Sequence, residues 1–335
     1  MSHFPDFWLQ RRWQSGLLWP VSLLFGLLAA ARRAGYRLGW LTSIRLPIPV
    51  VVVGNISVGG TGKTPLTLAL AAALREAGWR PLIVSRGYGG SAQTPRVVGP
   101  DSAPAEVGDE PLLMARRGLC PVWIGRDRAE AARLGLAAQP ECNVVLCDDG
   151  LQHYRLQRGA EIAVLDGARG LGNGWLLPAG MLREPASRLR SVTAVVVNGA
   201  QGDVRMNLHL RTFGMQLAGG TFVNLRQPQR TAQAADFAAK TVHAVAGIGN
   251  PARYFTHLRQ LGLSVVEHSF PDHHPYRAAD FAFAGPDDVL LLTEKDAVKC
   301  AAFADERFWL LRVEAQLDPA LIPLLLRTLH GSQTA

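Results

Sequence analysis

Short apolar runs rich in β-branched residues recur along the first two hundred positions at Pro49–Gly54, Pro81–Ser85, Cys120–Ile124, Asn143–Cys147, Glu161–Asp166 and Ala194–Asn198, and each reads as a strand. Helical patterns fall between them, at Pro65–Ala77, Glu110–Arg117, Arg126–Leu136 and around Ala186–Leu189. Strand and helix in alternation is the signature of an open, mostly parallel sheet flanked by helices. After Gly199 the composition shifts toward Gln, Asn and Thr, and Met206–Thr212 with Thr221–Leu225 reads as an antiparallel pair. From Lys240 the alternation resumes through TVHAVAGIGNPARYFTHLRQLG, SVVEHSF, DVLLLTEKDAVK and FWLLRVEAQL. The expected organisation is an N-terminal helical region over 1–45, an α/β domain over 46–200, linking antiparallel strands over 201–239 and a smaller α/β domain over 240–335. A site between the two α/β units follows, because cofactor sites favour such boundaries.

The N-terminal region departs from this pattern. Its segment RRWQSGLLWPVSLLFGLLAAARRAGYRLGW is apolar in the middle, bracketed by arginine pairs and rimmed by Trp8, Trp13, Trp19 and Trp40. Tryptophan and arginine at the edges of an apolar stretch suit a lipid headgroup boundary. Proline is tolerated in a first helical turn, so Pro20 places the expected helix from about Trp19 to Arg33, shorter than the roughly 20 residues a span needs. An interfacial or shallowly inserted helix is the expectation, with a membrane leaflet as its partner.

Chemistry enters at VVVVGNISVGGTGKTP, where a strand runs into a small-residue loop closed by Gly62-Lys63-Thr64. Backbone N–H groups along Ser57, Val58, Gly59, Gly60, Thr61 and Gly62 can turn onto phosphate oxygens. Lys63 then supplies a cation near the β and γ phosphates, and the Thr64 hydroxyl a ligand for Mg²⁺. Ser57 stands where the first glycine of G-x-x-x-x-G-K-[ST] is expected. The strand, loop and helix order still makes a P-loop NTPase-like sheet with ATP and Mg²⁺ as its cofactors the preferred reading.

The formal charge of +8 sharpens the picture of the N-terminus. No acidic residue lies between Asp6 and Glu76, while Arg11, Arg12, Arg32, Arg33, Arg37, Arg45, Lys63 and Arg75 do, and these account for the whole excess. The remainder has no basic stripe with interleaved aromatics, so nucleic acid is not an expected partner. Cys120, Cys142, Cys147 and Cys300 show neither C-x-x-C nor zinc spacing and read as reduced thiols. Nothing in the sequence sets an oligomeric state.

Other blocks carry candidate groups. The strand ending in Asp148-Asp149 presents two carboxylates where a nucleotide-binding sheet offers acid to Mg²⁺, with Gln152 and His153 lining the same crevice. Gly108-Asp109-Glu110-Pro111 sets two acids at a helix start, where capping explains them as well as chemistry does. Phe270-Pro271-Asp272-His273-His274-Pro275 is loop-like, and its histidines suit either a site or the surface. Leu182-Arg183-Glu184-Pro185 offers a cation and a carboxylate for anion or metal contact. Thr293-Glu294-Lys295-Asp296 ends an apolar strand, and both a role at the cleft and salt-bridged capping fit it.

Together, GNISVGGTGKTP, SRGYGG, GDEP, DDGLQH, LLPAGMLREP, GIGNPARYF, FPDHH and TEKDAVK resemble the tetraacyldisaccharide 4′-kinase (lipid A 4′-kinase) family over nearly the whole chain. The resemblance implies transfer of the ATP γ-phosphate to the 4′-hydroxyl of a lipid A disaccharide 1-phosphate at the cytoplasmic face of a bacterial inner membrane. It makes Ser57–Thr64 the ATP loop and Lys63 the phosphate cation, with Asp109 the catalytic base and His273 its partner. By the same resemblance Thr64, Asp148, Asp149 and Glu184 serve magnesium and the phosphates, and Gln152, His153 and Arg183 line the site. Met181, Gly159-Ala160 and His274 depart from the usual pattern without removing a reacting group. The rival reading is a membrane-associated switch ATPase, whose loops commonly carry a lysine where this chain has Val58.

Overall fold

All six apolar runs of the first half become strands, within two residues of their expected bounds, in a computed structural model that describes residues 5–199 and 211–333. The chain opens with α1 (Asp6–Leu9) and α2 (Trp13–Arg37), then β1 (Val50–Gly54), α3 (Lys63–Glu76), β2 (Pro81–Ser85) and β3 (Arg96–Val98). Next come α4 (Pro104–Val107), α5 (Asp109–Arg117), β4 (Val122–Ile124), α6 (Arg128–Ala138), β5 (Val144–Cys147), β6 (Ala160–Asp166), β7 (Ala194–Asn198) and β8 (Thr212–Ala218). The second half holds β9 (Phe222–Asn224), β10 (Thr231–Ala232), β11 (Val242–Ala246), α7 (Pro251–Gln260), β12 (Val265–Ser269), β13 (Val289–Thr293) and α8 (Glu294–Cys300). It closes with β14 (Phe308–Leu311), β15 (Glu314–Leu317) and α9 (Leu321–Gln333).

Nine strands form one sheet in the order β15-β8-β7-β6-β1-β5-β2-β4-β3, parallel except where β3 meets β4 and β15 meets β8. β1 sits in its interior with Val51 opposite Leu146 and Val53 opposite Ile162, and all five of its residues are buried. Its side chains alternate between two cores, as a pleated strand requires. Val51 and Val53 pack with Leu66, Leu70 and Leu74 of α3, and Val50 and Val52 with Leu82, Val84 and the small residues of α6. The expected mostly parallel α/β sheet is therefore what forms. A second sheet of six strands runs β10-β9-β14-β13-β11-β12, parallel among β11 to β14, with α7 and α8 against it.

Three expectations are corrected. The proposed antiparallel pair does not form: residues 206–210 lie outside the described residues, while β8 joins β7 in the large sheet and β9 pairs with β10 and β14 in the small one. FWLLRVEAQL, expected within the smaller α/β unit, forms two strands broken at Arg312 and Val313: β14 lies inside the small sheet between β9 and β13, and β15 crosses back to the large one. α9 follows it, and its Leu321, Leu325 and Leu329, spaced at i, i+4 and i+8, enter the same core as α3. Within the expected 240–335 unit, β15 and α9 thus belong to the large sheet and its core.

The third correction concerns α2, which runs 25 residues from Trp13 to Arg37 straight through Pro20. Proline deletes the bond to the carbonyl of Gly16, but that turn is exposed and tied down from outside the helix, Ser15 Oγ donating to the Phe7 carbonyl at 2.8 Å. By length and composition the helix is long enough to cross a membrane, yet it is docked lengthwise on the body. Ser22 Oγ donates to the Leu176 carbonyl at 2.8 Å and accepts from the Ala179 N–H at 2.9 Å. Asn173 reaches Ser15 near one end, and Tyr36 lies against Tyr154 near the other. Its outer face leaves Trp13, Leu17, Leu23, Leu24, Leu27 and Leu28 exposed.

Candidate active site

The loop between β1 and α3 is braced from inside. Asn55 Nδ2 donates to Thr61 Oγ1 at 3.3 Å and to the Gly59 carbonyl at 3.4 Å. Gly62 caps α3 with φ 92°, a left-handed conformation that only glycine takes without strain, and a Cβ there would collide with Asn198 Nδ2 at 2.4 Å. Ser57 is harmless in place of the expected glycine because it is not among the residues with positive φ. Its segment is instead stitched to LLPAGMLREP, the Val58 N–H donating to the Met181 carbonyl at 2.9 Å and the Arg183 N–H to the Ile56 carbonyl at 2.7 Å. The Met181 departure is silent here, since this contact uses only its backbone.

At the end of β5, Asp148 is fully buried and Asp149 takes φ 46°, a strained backbone for a residue with a side chain. Asp148 Oδ1 accepts from Thr67 Oγ1 at 2.9 Å, whereas Oδ2 is buried with no partner. Burial, aided by Glu110 and Asp149, pushes the Asp148 carboxyl up to about 7 against the pull of Lys63. Asp149 is only half-buried, and Lys63 at 3.5 Å and Arg183 at 3.7 Å outweigh its partial desolvation and hold it below the usual carboxylate range. Arg128 fixes the turn by donating to the Asp149 carbonyl at 3.0 Å.

Asp109 begins α5 and is 8% exposed, but it does not cap the helix; the cap position is Gly108, which makes no side-chain cap. Instead its Oδ2 lies 3.1 Å from His273 Nδ1 and 3.7 Å from Lys299 Nζ. A Cβ at Gly108 would meet the Tyr88 carbonyl at 2.4 Å, so this glycine is what lets the SRGYGG loop press against GDEP. His273, at φ 62°, stands between Asp109 and Lys295, with the Tyr88 ring 5.3 Å away. Its neighbour His274 is structural, pairing with Asp280 at 3.0 Å and packing on Phe270 and Tyr276. The small sheet's GIGN loop completes the enclosure: a Cβ on Gly249 would sit 3.5 Å from the Gly60 nitrogen.

A family model described as tetraacyldisaccharide-1-P 4′-kinase matches residues 14–330. The chain belongs to this family. Among similar curated proteins, the tetraacyldisaccharide 4′-kinase of Azoarcus sp. (strain BH72) is 50% identical over 99% of this chain and 97% of its own length. That of Alkalilimnicola ehrlichii is 53% identical over 96% of this chain and 95% of its own. The crystal structure of LpxK from Aquifex aeolicus in complex with ATP superposes with a TM-score of 0.78 at 30% identity, covering 94% of this chain and 99% of that one. The family resemblance read from the motif blocks is borne out, and the chain is a kinase of this family.

The remaining expected residues of this kinase divide into two groups. Gln152 braces the loop, donating to the Asn55 carbonyl at 2.9 Å and to Glu184 Oε2 at 3.1 Å. Glu184 also accepts from the Tyr154 hydroxyl, so protein donors engage both of its oxygens. His153 lies 3.5 Å from Asp127, and burial together with Arg128 pushes its imidazole down to about 4, leaving it neutral. Sequence reasoning missed Asn55, Thr67, Asn198, Arg253 and Lys299. Asn55 was visible inside GNISVGGTGKTP, Arg253 inside GIGNPARYF and Lys299 inside TEKDAVK. No local signal marks Asn198, which donates to the Thr61 carbonyl at 3.0 Å and accepts from Arg253 at 2.8 Å.

Proposed function

We propose that this kinase transfers the γ-phosphoryl group of ATP to the 4′-hydroxyl of a tetraacylated lipid A disaccharide 1-phosphate, giving the 1,4′-bisphosphate. The observation that carries the reading is the contact between Asp109 and His273, residues 164 apart in sequence, together with a phosphate loop that departs from the usual pattern only at Ser57. A sugar hydroxyl is a weak nucleophile at neutral pH. In this reading Asp109 takes its proton as the new O–P bond forms and the bond to the β-phosphate oxygen breaks, releasing ADP. Such base assistance is worth roughly 10²–10⁴-fold. Lys63 and the loop N–H groups from Gly59 to Gly62 neutralise charge on the transferring group, the larger share of the catalysis, the Val58 N–H being already engaged by the Met181 carbonyl.

A magnesium ion fits this chemistry. Asp148 offers a buried oxygen without a partner and Thr64 a hydroxyl at the start of α3, and Mg²⁺ is commonly held by one or two carboxylates plus substrate phosphates. When bound, it would draw charge from the phosphate oxygens. Glu184, engaged by Gln152 and Tyr154, suits a bracing role better than a ligand role, and among the described residues no group of three or more His, Cys, Asp or Glu could hold a metal by itself.

The membrane reading is supported by α2. Its contacts through Ser15, Ser22 and Tyr36 lay it along the body, and its exposed leucines and tryptophans can enter one leaflet from there, which favours an interfacial helix over a span. Our reading is that the protein binds one leaflet as a monotopic enzyme; the cytoplasmic face of the inner membrane is the side on which ATP would meet such a substrate.

Radiolabelled ATP and lipid A disaccharide 1-phosphate test the reaction. The expected product is a bisphosphorylated glycolipid, abolished in Lys63→Ala and reduced at least a hundredfold in Asp109→Ala, with nucleotide binding retained in the latter. ATP consumption indifferent to the glycolipid would overturn the reading in favour of a switch ATPase, and near-normal turnover in Asp109→Ala would remove that residue from the base role.

A further inference from the structure

The Lys295 ammonium lies 3.2 Å from His273 Nε2, 2.9 Å from Asp272 Oδ1 and 3.6 Å from Glu110 Oε1. Burial works to make this lysine lose its proton, but Glu110 and Asp272 outweigh it and hold the group above the ordinary lysine range. At neutral pH it is an ammonium, with donors and no lone pair to offer. Its contact with His273 therefore has one polarity: Lys295 donates and Nε2 accepts. In a neutral imidazole the ring proton must then be on Nδ1, the nitrogen 3.1 Å from Asp109 Oδ2. Lys299 approaches that same Oδ2 at 3.7 Å. Both cationic or donor groups load one oxygen of the carboxylate, and Asp109 Oδ1 makes no hydrogen bond among the described residues.

We propose that Lys295 is a positioning residue that holds His273 in its Nδ1–H tautomer, so that the imidazole occupies Oδ2 of Asp109 and leaves Oδ1 to receive the acceptor hydroxyl. The inference rests on the reading of Asp109 as the base. Lys295 touches no reacting atom. In the transfer the hydroxyl proton moves to Asp109 Oδ1, while His273 keeps its Nδ1 proton and Lys295 keeps all of its own. With the opposite tautomer a lone pair on Nδ1 would face the carboxylate, and the repulsion would turn the ring away and free Oδ2 to rotate into the site. The left-handed backbone of His273 and the Tyr88 ring beside it fix where the imidazole sits; Lys295 fixes which nitrogen bears the proton.

The test uses the intact protein in detergent with ring-¹⁵N histidine, the His273 resonances being identified by their loss in His273→Asn. In the wild type at pH 8 the expected pattern is a protonated Nδ1 and an unprotonated Nε2; the reverse pattern overturns the proposal without any variant. In Lys295→Met, kcat is expected to fall roughly 10–100-fold, the size of effect a misplaced catalytic group produces, with KM for ATP little changed. The ring pattern should become mixed. Lys295→Arg, which keeps a cationic donor, should restore the Nδ1–H pattern and most of kcat, and it also serves as the variant if Lys295→Met does not fold. A folded Lys295→Met with wild-type kcat, or an unchanged ring pattern in that variant, overturns the positioning role. Should Asp109→Ala keep its turnover, the base reading fails while the tautomer signature stands, so the two failures are told apart.

Discussion

Two adjacent aspartates at the end of β5 titrate in opposite directions, Asp148 pushed up to about 7 by burial and Asp149 held low by Lys63 and Arg183 despite partial burial. The pair therefore divides labour by environment alone. For Asp148 the sign of the linkage is set by a folded pKa above the unfolded value of 3.8. Between those two values the folded state keeps a proton that the unfolded state releases, so this group makes stability fall as pH rises through that window, and the loss persists above it. Asp148→Asn cannot ionise, yet its amide oxygen still accepts from Thr67. The variant should melt several degrees above the wild type at pH 8, with a smaller excess at pH 5, while losing turnover. Thermal melts without nucleotide at the two pH values check this; an excess that does not grow with pH would mean that Asp148 is not a buried, proton-holding acid.

At the scale of elements, the strands of the large sheet were legible because β-branched runs such as Val50–Val53 have few other ways to bury both faces. Helix α2 was legible in character but not in length. A rule about proline that holds for isolated helices gave way to tertiary contacts at Ser15 and Ser22, which hold the turns on either side of Pro20 in place. Small residues dominate the docked face before Tyr36: Gly26 lies where a Cβ would meet Leu176 Cδ1 at 2.6 Å. Stability and membrane binding therefore belong to different faces of one helix. Replacing exposed Leu23, Leu24, Leu27 and Leu28 by serine should leave the melting temperature nearly unchanged, since each is more than half exposed. It should also weaken co-sedimentation with anionic vesicles at least tenfold, given roughly 1.5–3 kcal/mol for each leucine that enters lipid. Gly26→Leu should do the reverse, lowering the melting temperature while vesicle binding persists. Co-sedimentation and melts on the same preparations separate the two faces, and equal losses in both assays for the leucine set would contradict the division.

Across the whole molecule, the site was legible as separate strings but not as an assembly. GDEP and TEKDAVK each read equally well as helix caps, and in part that reading holds, Thr293 Oγ1 accepting from the Asp296 N–H at 3.1 Å. What no local pattern shows is that α5 of the large-sheet half and α8 of the small-sheet half pack together, bringing Asp109 to His273 and Lys295. A buried clamp holds that junction. Arg117, at the end of α5, donates to Glu294 Oε2 at 2.7 Å and to the Val313 carbonyl at 2.6 Å, and the Val313 N–H donates to the same Glu294 oxygen at 3.2 Å. Val313 lies at the very break where the chain passes from β14 to β15, so the clamp ties together both helices and the crossing strand. Burial holds the Glu294 carboxyl above the usual range even with Arg117 beside it, which means that Glu294 left alone would be a poorly solvated charge. Arg117→Met is expected to cost about 3 kcal/mol, and Arg117→Met with Glu294→Gln to recover part of it, because removing one partner of a buried pair costs more than removing both charges. If the clamp also sets the distance from Asp109 to His273, turnover per folded molecule falls in Arg117→Met and is only partly restored in the double variant, whose junction still lacks the Arg117 fork. Melts and single-turnover phosphorylation on the same samples decide it: turnover that merely follows the folded fraction would make the clamp a stabilising contact and nothing more.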